Sequence, residues 1–573
     1  MTSIDNLLEI AKPARYIGKE WNSAKKKLAA DDVKFAICYP DVYELGMSNL
    51  AVRIIYGILN NLNGIFCDRV FCPWPDFQKY LLNNNKTLCS LETGLPLKDF
   101  DVLGFSLGYE LTYTNVLTML KLGGIPLFSK ERDLTFPLIV GGGPSAVNPE
   151  PMHEFFDIFF IGEAEEFIVE FGEYLKRLKK NAVNKRISKK ELLLELAQFE
   201  GVYVPLLYDV SFDKDGFLKE FFPLDKNIPK TITKRFVRDL DKAYYPLNWL
   251  VPNIATIHDR VSLEIMRGCP HKCRFCQARK IYYPYRLKSM LNLEEIGERI
   301  LKDTGYEEIG LCGLSVSDHP AALEIIKYFT KIFKENAVSV SLSSLRADSI
   351  LDKSLSVISE IKKAGITFAP EAGSERLREA IGKDLDIEKL FKLSQDALDL
   401  GWRHLKLYFM VGLPTENMQD LDEIIDMVEK ITKVTSKSGK RFSNINLSVN
   451  PFIPKPHTDF ELLALENKDK LIQKREYLKS RLKEKAFSKV NFSFHNIDIS
   501  FIEAALSRGD RRLSNVIYSA WANGAKFDAW QEHFNIKLWD KAFLDNNMNP
   551  EFYANRIITL GETLSWGHIN LIS

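Results

Sequence analysis

Long apolar runs are missing from this chain. None reaches the ~18–20 residues that a bilayer-spanning helix needs, which excludes a helical membrane protein. The first residues lack the basic-then-apolar pattern of a secretory leader. Net charge is nearly absent too. With 77 Lys and Arg against 76 Asp and Glu the balance is +1, so no overall electrostatic pull toward nucleic acid or membrane is expected. Cysteine is sparse, eight in 573 residues. That is too few for a disulfide scaffold, and a reducing cytoplasm is the expected compartment. Repeats and low-complexity tracts are also lacking. What remains is ordinary globular material, 46% hydrophobic, over a length that implies three or four domains.

Three of the few cysteines are crowded together. Cys269, Cys273 and Cys276 lie in the string Arg267-Gly-Cys-Pro-His-Lys-Cys-Arg-Phe-Cys276. Iron–sulfur clusters are held by cysteine thiolates, usually four of them. Three thiolates this close can take three corners of a cuboidal cluster, which leaves one iron open to a small molecule. The competing reading is a structural zinc site, which needs four tetrahedral ligands, typically in two paired sets. His271 is poorly placed between Cys269 and Cys273, and the next cysteine, Cys312, stands alone. The spacing favours a cluster over zinc.

Val261–Met266 reads as a short apolar strand leading into this loop. Beyond it strands and helices alternate. Strands fall at Ile309–Leu314, Val338–Ser343, Ile366–Glu371, Arg403–Met410 and Asn444–Asn450. Helices fall at His319–Glu335, Leu351–Lys363, a stretch to Leu400, and Asn417–Lys433. This alternation predicts a parallel sheet wrapped in helices, with about six repeats rather than the eight of a closed barrel. Chemistry belongs at the carboxyl ends of such strands. Ser315, Ser317 and Asp318 follow the second strand, and Ser344, Arg346 and Asp348 the third. Glu371-Ala-Gly-Ser374 ends the fourth, Met410-Val-Gly-Leu-Pro-Thr-Glu416 the fifth, and Asn450-Pro-Phe-Ile-Pro-Lys-Pro-His457 the sixth. For Arg346, Asp348 and Glu416 a loop salt bridge or helix cap is as reasonable as a substrate contact. Cys312, on the second strand, reads as a small core residue.

The cysteine spacing, with Phe275 just before the last cysteine, resembles the signature loop of the radical S-adenosylmethionine (SAM) enzymes. The resemblance implies a partial TIM-type barrel and a [4Fe-4S] cluster on Cys269, Cys273 and Cys276. It implies SAM bound through its amino and carboxylate groups at the open iron, and its reductive cleavage to a 5′-deoxyadenosyl radical. Phe275 would then pack near the adenine. Glu371 and Ser374 belong to a ribose-contacting motif, Gly412 to an adenine-side motif, and Arg346 to the same SAM site. The Gly-Gly-Glu triplet of many members is replaced here by Gly313-Leu-Ser-Val-Ser317, which passes the methionine amine to Ser315 or Ser317.

The N-terminal third reads as a separate module. Val33–Tyr39, Asp101–Leu107, Pro137–Val140 and Asp157–Ile161 are strand-like, with helices at Met47–Leu62 and Glu163–Lys180. This predicts a doubly wound, Rossmann-like open sheet that binds ligands at its strands' carboxyl ends. Gly141-Gly-Gly-Pro-Ser145 either allows close backbone approach to a bulky ligand or simply makes a turn. With Asn148-Pro-Glu-Pro151 and Ile161-Gly-Glu-Ala-Glu165, it resembles the cobalamin-binding domain that precedes many radical SAM domains. The resemblance implies a cobalamin site at Asp41, Tyr43, Gly46, Ser106, Gly142, Gly143, Gly162 and Glu163. Many such domains carry Asp-x-His-x-x-Gly, whose histidine replaces the lower axial base of cobalt. Here Asp41-Val-Tyr43-Glu-Leu-Gly46 puts a tyrosine in that place. A neutral phenol is a poor metal ligand beside imidazole, so no nitrogen ligand is expected from this loop.

The expected layout is α/β: an arm over 1–30, the Rossmann-like domain over 31–200, a linker over 201–255, a partial (β/α)6 barrel over 256–489 and a helical extension over 490–573. The basic stretch Lys176–Glu200 has no aromatic but Phe199 near its end and reads as a solvated helix face rather than an RNA patch. In the extension Trp521, Phe527, Trp530, Phe534 and Trp539 recur at core spacing. Arg508, Asp510, Arg511 and Arg512 suit either an anion or an internal lock. Pro13-Ala-Arg-Tyr-Ile-Gly18, Tyr109-Glu-Leu-Thr-Tyr-Thr-Asn115, Phe368-Ala-Pro-Glu-Ala-Gly373 and Arg508-Gly-Asp-Arg-Arg-Leu513 together resemble one poorly characterised radical SAM family with this layout. The resemblance implies a SAM-cleaving enzyme in which cobalamin passes a methyl group to an unactivated carbon. A flavodoxin or ferredoxin would supply electrons. The alternatives are a cobalamin-containing rearrangement or cyclisation enzyme and a methylthiotransferase-like RNA-modifying enzyme. The latter would have a second cluster on thiols among Cys38, Cys67, Cys72 and Cys89. A non-enzymatic cobalamin or SAM sensor is the last alternative.

Overall fold

The computed structural model describes residues 9–181, 187–335, 338–342, 365–485 and 487–572. The first domain is built on β1 (Val33–Tyr39), β2 (Ile65–Phe71), β3 (Val102–Ser106), β4 (Leu138–Gly142), β5 (Ile158–Phe160) and β6 (Val202–Tyr203), in the order β2-β1-β3-β4-β5-β6. Neighbours run parallel except β5 and β6. Strands covered on both faces need apolar side chains throughout; helices Leu50–Asn61 and Tyr113–Leu122 provide crossovers, and helix Ala164–Asn181 packs on β1 and on helix Leu50–Asn61. The doubly wound module is the expected one. The apolar pattern misses β2, because Asp68 and Arg69 interrupt it. All of β2 is nevertheless buried. Arg69 is neutralised by Glu20 at 2.8 Å and by Glu92, while Asp68 accepts from the Thr93 amide and hydroxyl.

The linker contains the hairpin β7 (Tyr208–Phe212) and β8 (Leu218–Pro223). It also contains β9 (Ile232–Thr233), which pairs in parallel with the distant segment Ile569–Asn570. The second domain opens with β10 (Val261–Glu264), followed by β11 (Met266–Arg267), which pairs antiparallel with β12 (Arg286–Leu287). β13 (Glu308–Cys312) and β14 (Ser339–Leu342) continue a parallel sheet from β10. A second parallel sheet contains β15 (Ile366–Glu371), β16 (His404–Val411), β17 (Asn444–Pro451) and β18 (Val490–Phe494). The helix expected at Leu351–Lys363 lies outside the described residues, as do Ser344, Arg346 and Asp348. Six strands match the sequence pattern, and β18 adds a seventh where a helical extension was expected to start. Its half-buried Val490, Phe492 and Phe494 alternate with exposed Asn491 and Ser493, the two-residue period of a strand.

Helices Ile497–Ser507, Leu513–Ala522, Ile536–Asp545 and Pro550–Ala554 complete the extension and pack on the first domain. Trp521 Nε1 donates to Thr118 Oγ1 and Trp530 Nε1 to Asp41 Oδ1, both at 3.0 Å. The Phe527 amide donates to Asn115 Oδ1 at 2.9 Å. The arginine cluster works as an internal lock. Arg511 pairs with buried Glu150 at 2.5 Å, Arg512 pairs with Asp510 at 2.6 Å, and Arg508 donates to the carbonyls of Ala554 and Arg556. Among the described residues no helix is long and apolar enough to cross a membrane.

Candidate active site

The cysteine loop starts where β11 ends. Gly268 has φ +82°, and a Cβ there would lie 2.7 Å from the Tyr282 carbonyl oxygen and 2.8 Å from that of Pro284. Only glycine turns the chain so tightly against backbone. The loop then crosses the second sheet's strand ends and is tied there by main-chain hydrogen bonds. Arg274 N donates to Ile381 O at 2.9 Å, and Asp459 N donates to Arg274 O at 3.1 Å. Cys276 immediately precedes the short helix Gln277–Ile281. Cys269, Cys273 and Cys276 are half-buried and form no disulfide. Burial pushes the Cys276 thiol up, and the charges of Cys273, Cys269 and Glu371 add to that. The three thiols and the Glu371 carboxyl therefore share one electrostatic neighbourhood.

That donor set suits iron–sulfur chemistry. Like-charged thiolates repel one another until a cation binds, and a metal deprotonates a thiol outright. Among the described residues no group of three or more His, Cys, Asp or Glu side chains could hold a single metal ion. The corner ligands of a cluster stand farther apart than those of one ion. His271 is committed elsewhere: its Nε2 lies 2.7 Å from Asp318 Oδ2.

The residues expected around SAM take defined places. Phe275 packs on a small apolar cluster that includes Ala372, Leu377, Ile381, Leu413 and Phe452. Ser315 and Ser317 are buried after β13, and the Ser315 hydroxyl donates to the Asp318 carboxylate that also meets His271. Glu371, at the end of β15, has φ +70°, a strained conformation for a residue with a side chain. Burial pushes its carboxyl up, opposed by Lys383 at 3.6 Å. Ser374 caps helix Glu375–Ala380 and donates to buried Asp420, so its hydroxyl is already engaged. Gly412 has φ +79°, and its amide donates to Glu416 at 2.7 Å. Glu416 also pairs with Lys474 at 2.6 Å and so braces its own loop. The half-buried Cys312 thiol donates to the Gly310 carbonyl at 3.5 Å.

The first domain brings its strand ends to the same place. Helix Gln277–Ile281 packs against the turn Pro144–Val147, and His457 Nε2 lies 2.9 Å from the Val147 carbonyl oxygen. At this junction Ser106, Gly142 and Gly143 are half-buried. A Cβ on Gly108 would meet nothing within 4 Å, and one on Gly142 only the Phe160 carbonyl at 3.6 Å. The other residues expected there are packed. Tyr43 is 1% exposed, donates to Glu20 at 3.0 Å and accepts from the Asn253 amide at 3.1 Å. A Cβ on Gly46 would strike the Phe71 ring, and one on Gly162 the Arg235 carbonyl. Asp41 is buried against Trp530, and burial raises its carboxyl to about 6. Glu163 binds Arg267 at 2.9 Å and Arg286 at 2.6 Å.

A buried ionic group at this junction is not apparent in the sequence. Lys455 Nζ lies 3.0 Å from both Glu110 oxygens and 2.8 Å from Glu503, which accepts from Tyr109 OH at 2.5 Å. One residue each from the barrel and the extension, and two from the first domain, meet there. The only sequence signal was the polar character of loops at strand ends.

Two family models match the chain: "Radical SAM proteins, N-terminal" over residues 51–205 and "Radical SAM superfamily" over 263–428. An uncharacterised protein of Methanocaldococcus jannaschii is 30% identical over 483 residues, spanning 84% of this chain and 90% of that protein. The chain belongs to the radical SAM superfamily. Membership implies a [4Fe-4S] cluster and SAM. A relative in Syntrophomonas wolfei, tRNA-2-methylthio-N(6)-dimethylallyladenosine synthase, is 25% identical over 184 residues, 30% of this chain and 40% of that protein. The solved structure of the radical SAM methyltransferase TsrM from Kitasatospora setae, with cobalamin and a [4Fe-4S] cluster bound, is 10% identical. It covers 75% of this chain and 77% of TsrM, with a TM-score of 0.47.

Proposed function

We propose that this radical SAM enzyme is cobalamin-dependent and methylates an unactivated carbon. The observation that carries the reading is the junction itself, where the cysteine loop and the first domain's glycine-rich strand ends face one another. In this reading Cys269, Cys273 and Cys276 hold the cluster, and Phe275, Glu371 and Gly412 border SAM. Ser315 or Ser317 would take the methionine amine of SAM, Ser315 from a position where its hydroxyl already donates to Asp318. Cobalamin would rest on the ledge of Ser106, Gly108, Gly142 and Gly143. Tyr43 offers cobalt no ligand, because its hydroxyl is held by Glu20 and Asn253. When bound, the cluster and SAM supply the 5′-deoxyadenosyl radical and cobalamin supplies the methyl group. The protein's part is to hold these groups and exclude water, and the extension closes over the first domain accordingly. A flavodoxin or ferredoxin would reduce the cluster.

A methylthiotransferase-type second cluster is disfavoured by Cys38, Cys67 and Cys72. All three are buried in or beside the first sheet, and burial pushes each thiol up. Anaerobic reconstitution with cobalamin, followed by SAM turnover, tests the proposal. Cobalamin absorbance with both 5′-deoxyadenosine and S-adenosylhomocysteine is the expected result. Deoxyadenosine without S-adenosylhomocysteine would overturn methyl transfer, and lack of cobalamin uptake would overturn the second cofactor. Iron near ~8 rather than ~4 per chain would revive the second cluster.

A further inference from the structure

The cysteine loop spans the two parallel sheets of the second domain. Toward the second sheet it is tied through backbone: the Arg274 amide and carbonyl bond to Ile381 and Asp459, in segments that follow β15 and β17. Toward the first sheet it is tied through a side chain. His271, midway between Cys269 and Cys273, places Nε2 2.7 Å from Asp318 Oδ2. A carboxylate only accepts, so Nε2 carries the proton. Asp318 closes the turn that follows β13. Its amide donates to the Ser315 carbonyl at 2.9 Å, and its Oδ2 accepts from the Ser315 hydroxyl. The Asp318 carbonyl accepts from Tyr285 OH at 3.1 Å, and the Tyr285 backbone lies against Gly268, where the loop begins.

One carboxylate oxygen therefore serves both the cysteine loop and the serine turn. Global stability is a poor reason for this contact. The His271 and Asp318 side chains are 28% and 21% exposed, and solvent-screened contacts of this kind add little to folding. What the contact does fix is geometry. His271 is two residues from each of two cluster cysteines, so a shift of its ring moves both thiols. Hydrogen bonds from outside the ligand set orient the ligands of a metal site and tune its affinity.

We propose that Asp318 is a positioning residue: through His271 it holds the apex of the cysteine loop in register with the residues that take the SAM amine. The proposal rests on the cluster at the three cysteines and on the amine at Ser315 or Ser317, and not on cobalamin. A group bound by Ser315 stands one hydrogen bond from Asp318 Oδ2, and His271 stands one hydrogen bond from the same atom on the loop side. Each side therefore biases the other. Such coupling is reciprocal: bound SAM steadies the loop, and a steadied loop tightens SAM.

The test uses the full-length protein, reconstituted anaerobically, as parent, His271→Ala, Asp318→Ala, the double variant and His271→Gln. Iron release to the chelator bathophenanthroline disulfonate is timed without SAM. SAM binding is measured calorimetrically with the cluster oxidised, so that SAM is not cleaved. Each single alanine variant should release iron at least ~5-fold faster and bind SAM at least ~5-fold more weakly, with the double variant no worse than the worse single one. His271→Gln keeps an N–H donor for Asp318 and should return to within ~2-fold of the parent. Urea unfolding midpoints of His271→Ala and the parent should coincide. Parental iron release in both single variants overturns the proposal, as do effects that multiply in the double variant. A lowered midpoint in His271→Ala, or no rescue by His271→Gln, makes the contact merely structural and also overturns it. Faster iron release with unchanged SAM affinity supports the hold on the loop and overturns the serine placement of the amine.

Discussion

The carboxylate of Glu163 lies 2.9 Å from the guanidinium of Arg267, two residues before the first cysteine of the loop. Arg286 holds its other oxygen at 2.6 Å. A side chain of the first domain thus fixes the entry to the cysteine loop of the second. Burial alone would raise this carboxyl, but the Arg286 hydrogen bonds and the Arg267 charge reverse that, and its pKa is held below the usual value of 4.5.

Glu163→Gln should therefore destabilise the protein by about 3 kcal/mol at neutral pH, because it leaves two buried guanidiniums short of charge. A depressed folded-state pKa gives stability that is present above the unfolded pKa and lost as pH falls through the folded one. The parent should lose stability below about pH 4.5, and the variant should lose less over that range. Urea unfolding at pH 7 and pH 4 measures both effects. Equal midpoints at pH 7 would show that the bridge contributes nothing.

Replacing Cys269, Cys273 or Cys276 singly by Ala should abolish cluster assembly. Iron after anaerobic reconstitution should fall from ~4 per chain to near zero, with deoxyadenosine formation lost. Replacing Cys89 should leave both unchanged.

Gly268→Ala separates loop geometry from ligand identity. All three thiols remain, but the new Cβ meets two carbonyl oxygens closer than 3 Å. The expected cost is about 1–3 kcal/mol of local strain, with at least a tenfold drop in iron retained on gel filtration and unchanged far-ultraviolet circular dichroism. Full iron loading would mean that the loop adapts.

Lys455→Met should leave Glu110 and Glu503 buried together without a cation. A loss of about 3–5 kcal/mol is expected by denaturant unfolding. Adding Glu110→Gln should recover part of it, which a purely steric effect of methionine would not do.

Tyr43→His restores the imidazole of many cobalamin-binding loops, yet the site is buried and ringed by Phe71 and Glu20. We expect a destabilisation of about 1–3 kcal/mol from the lost hydrogen bonds. We also expect no nitrogen coupling in the electron paramagnetic resonance spectrum of any bound cob(II)alamin. Appearance of that coupling would show that the loop can open toward cobalt.

The sequence and the structure agree best where local chemistry is strong. The cysteine spacing, the glycine runs and the apolar strands of both sheets are all legible, because thiols, left-handed turns and buried parallel strands each demand particular residues. Strand β2 is not, since Asp68 and Arg69 find partners in Glu20, Glu92 and Thr93, which lie far from them in the chain. The same holds for Glu163. As a residue after a glycine loop it reads as a ligand contact, and only tertiary structure reveals its two arginines. The charge of Lys455 is likewise explained by Glu110, 345 positions away, and by Glu503 in the extension. Patterns within a window of about 18 residues report propensity and periodicity, but not which distant charge will arrive.

The pairing of Ile232–Thr233 with Ile569–Asn570 bears on how the molecule is made. The linker strand is synthesised before the barrel, yet its partner appears only after the barrel and most of the extension have left the ribosome. Contacts this distant in sequence form late and slowly. The linker between the two domains is therefore tied down only after translation has passed both of them.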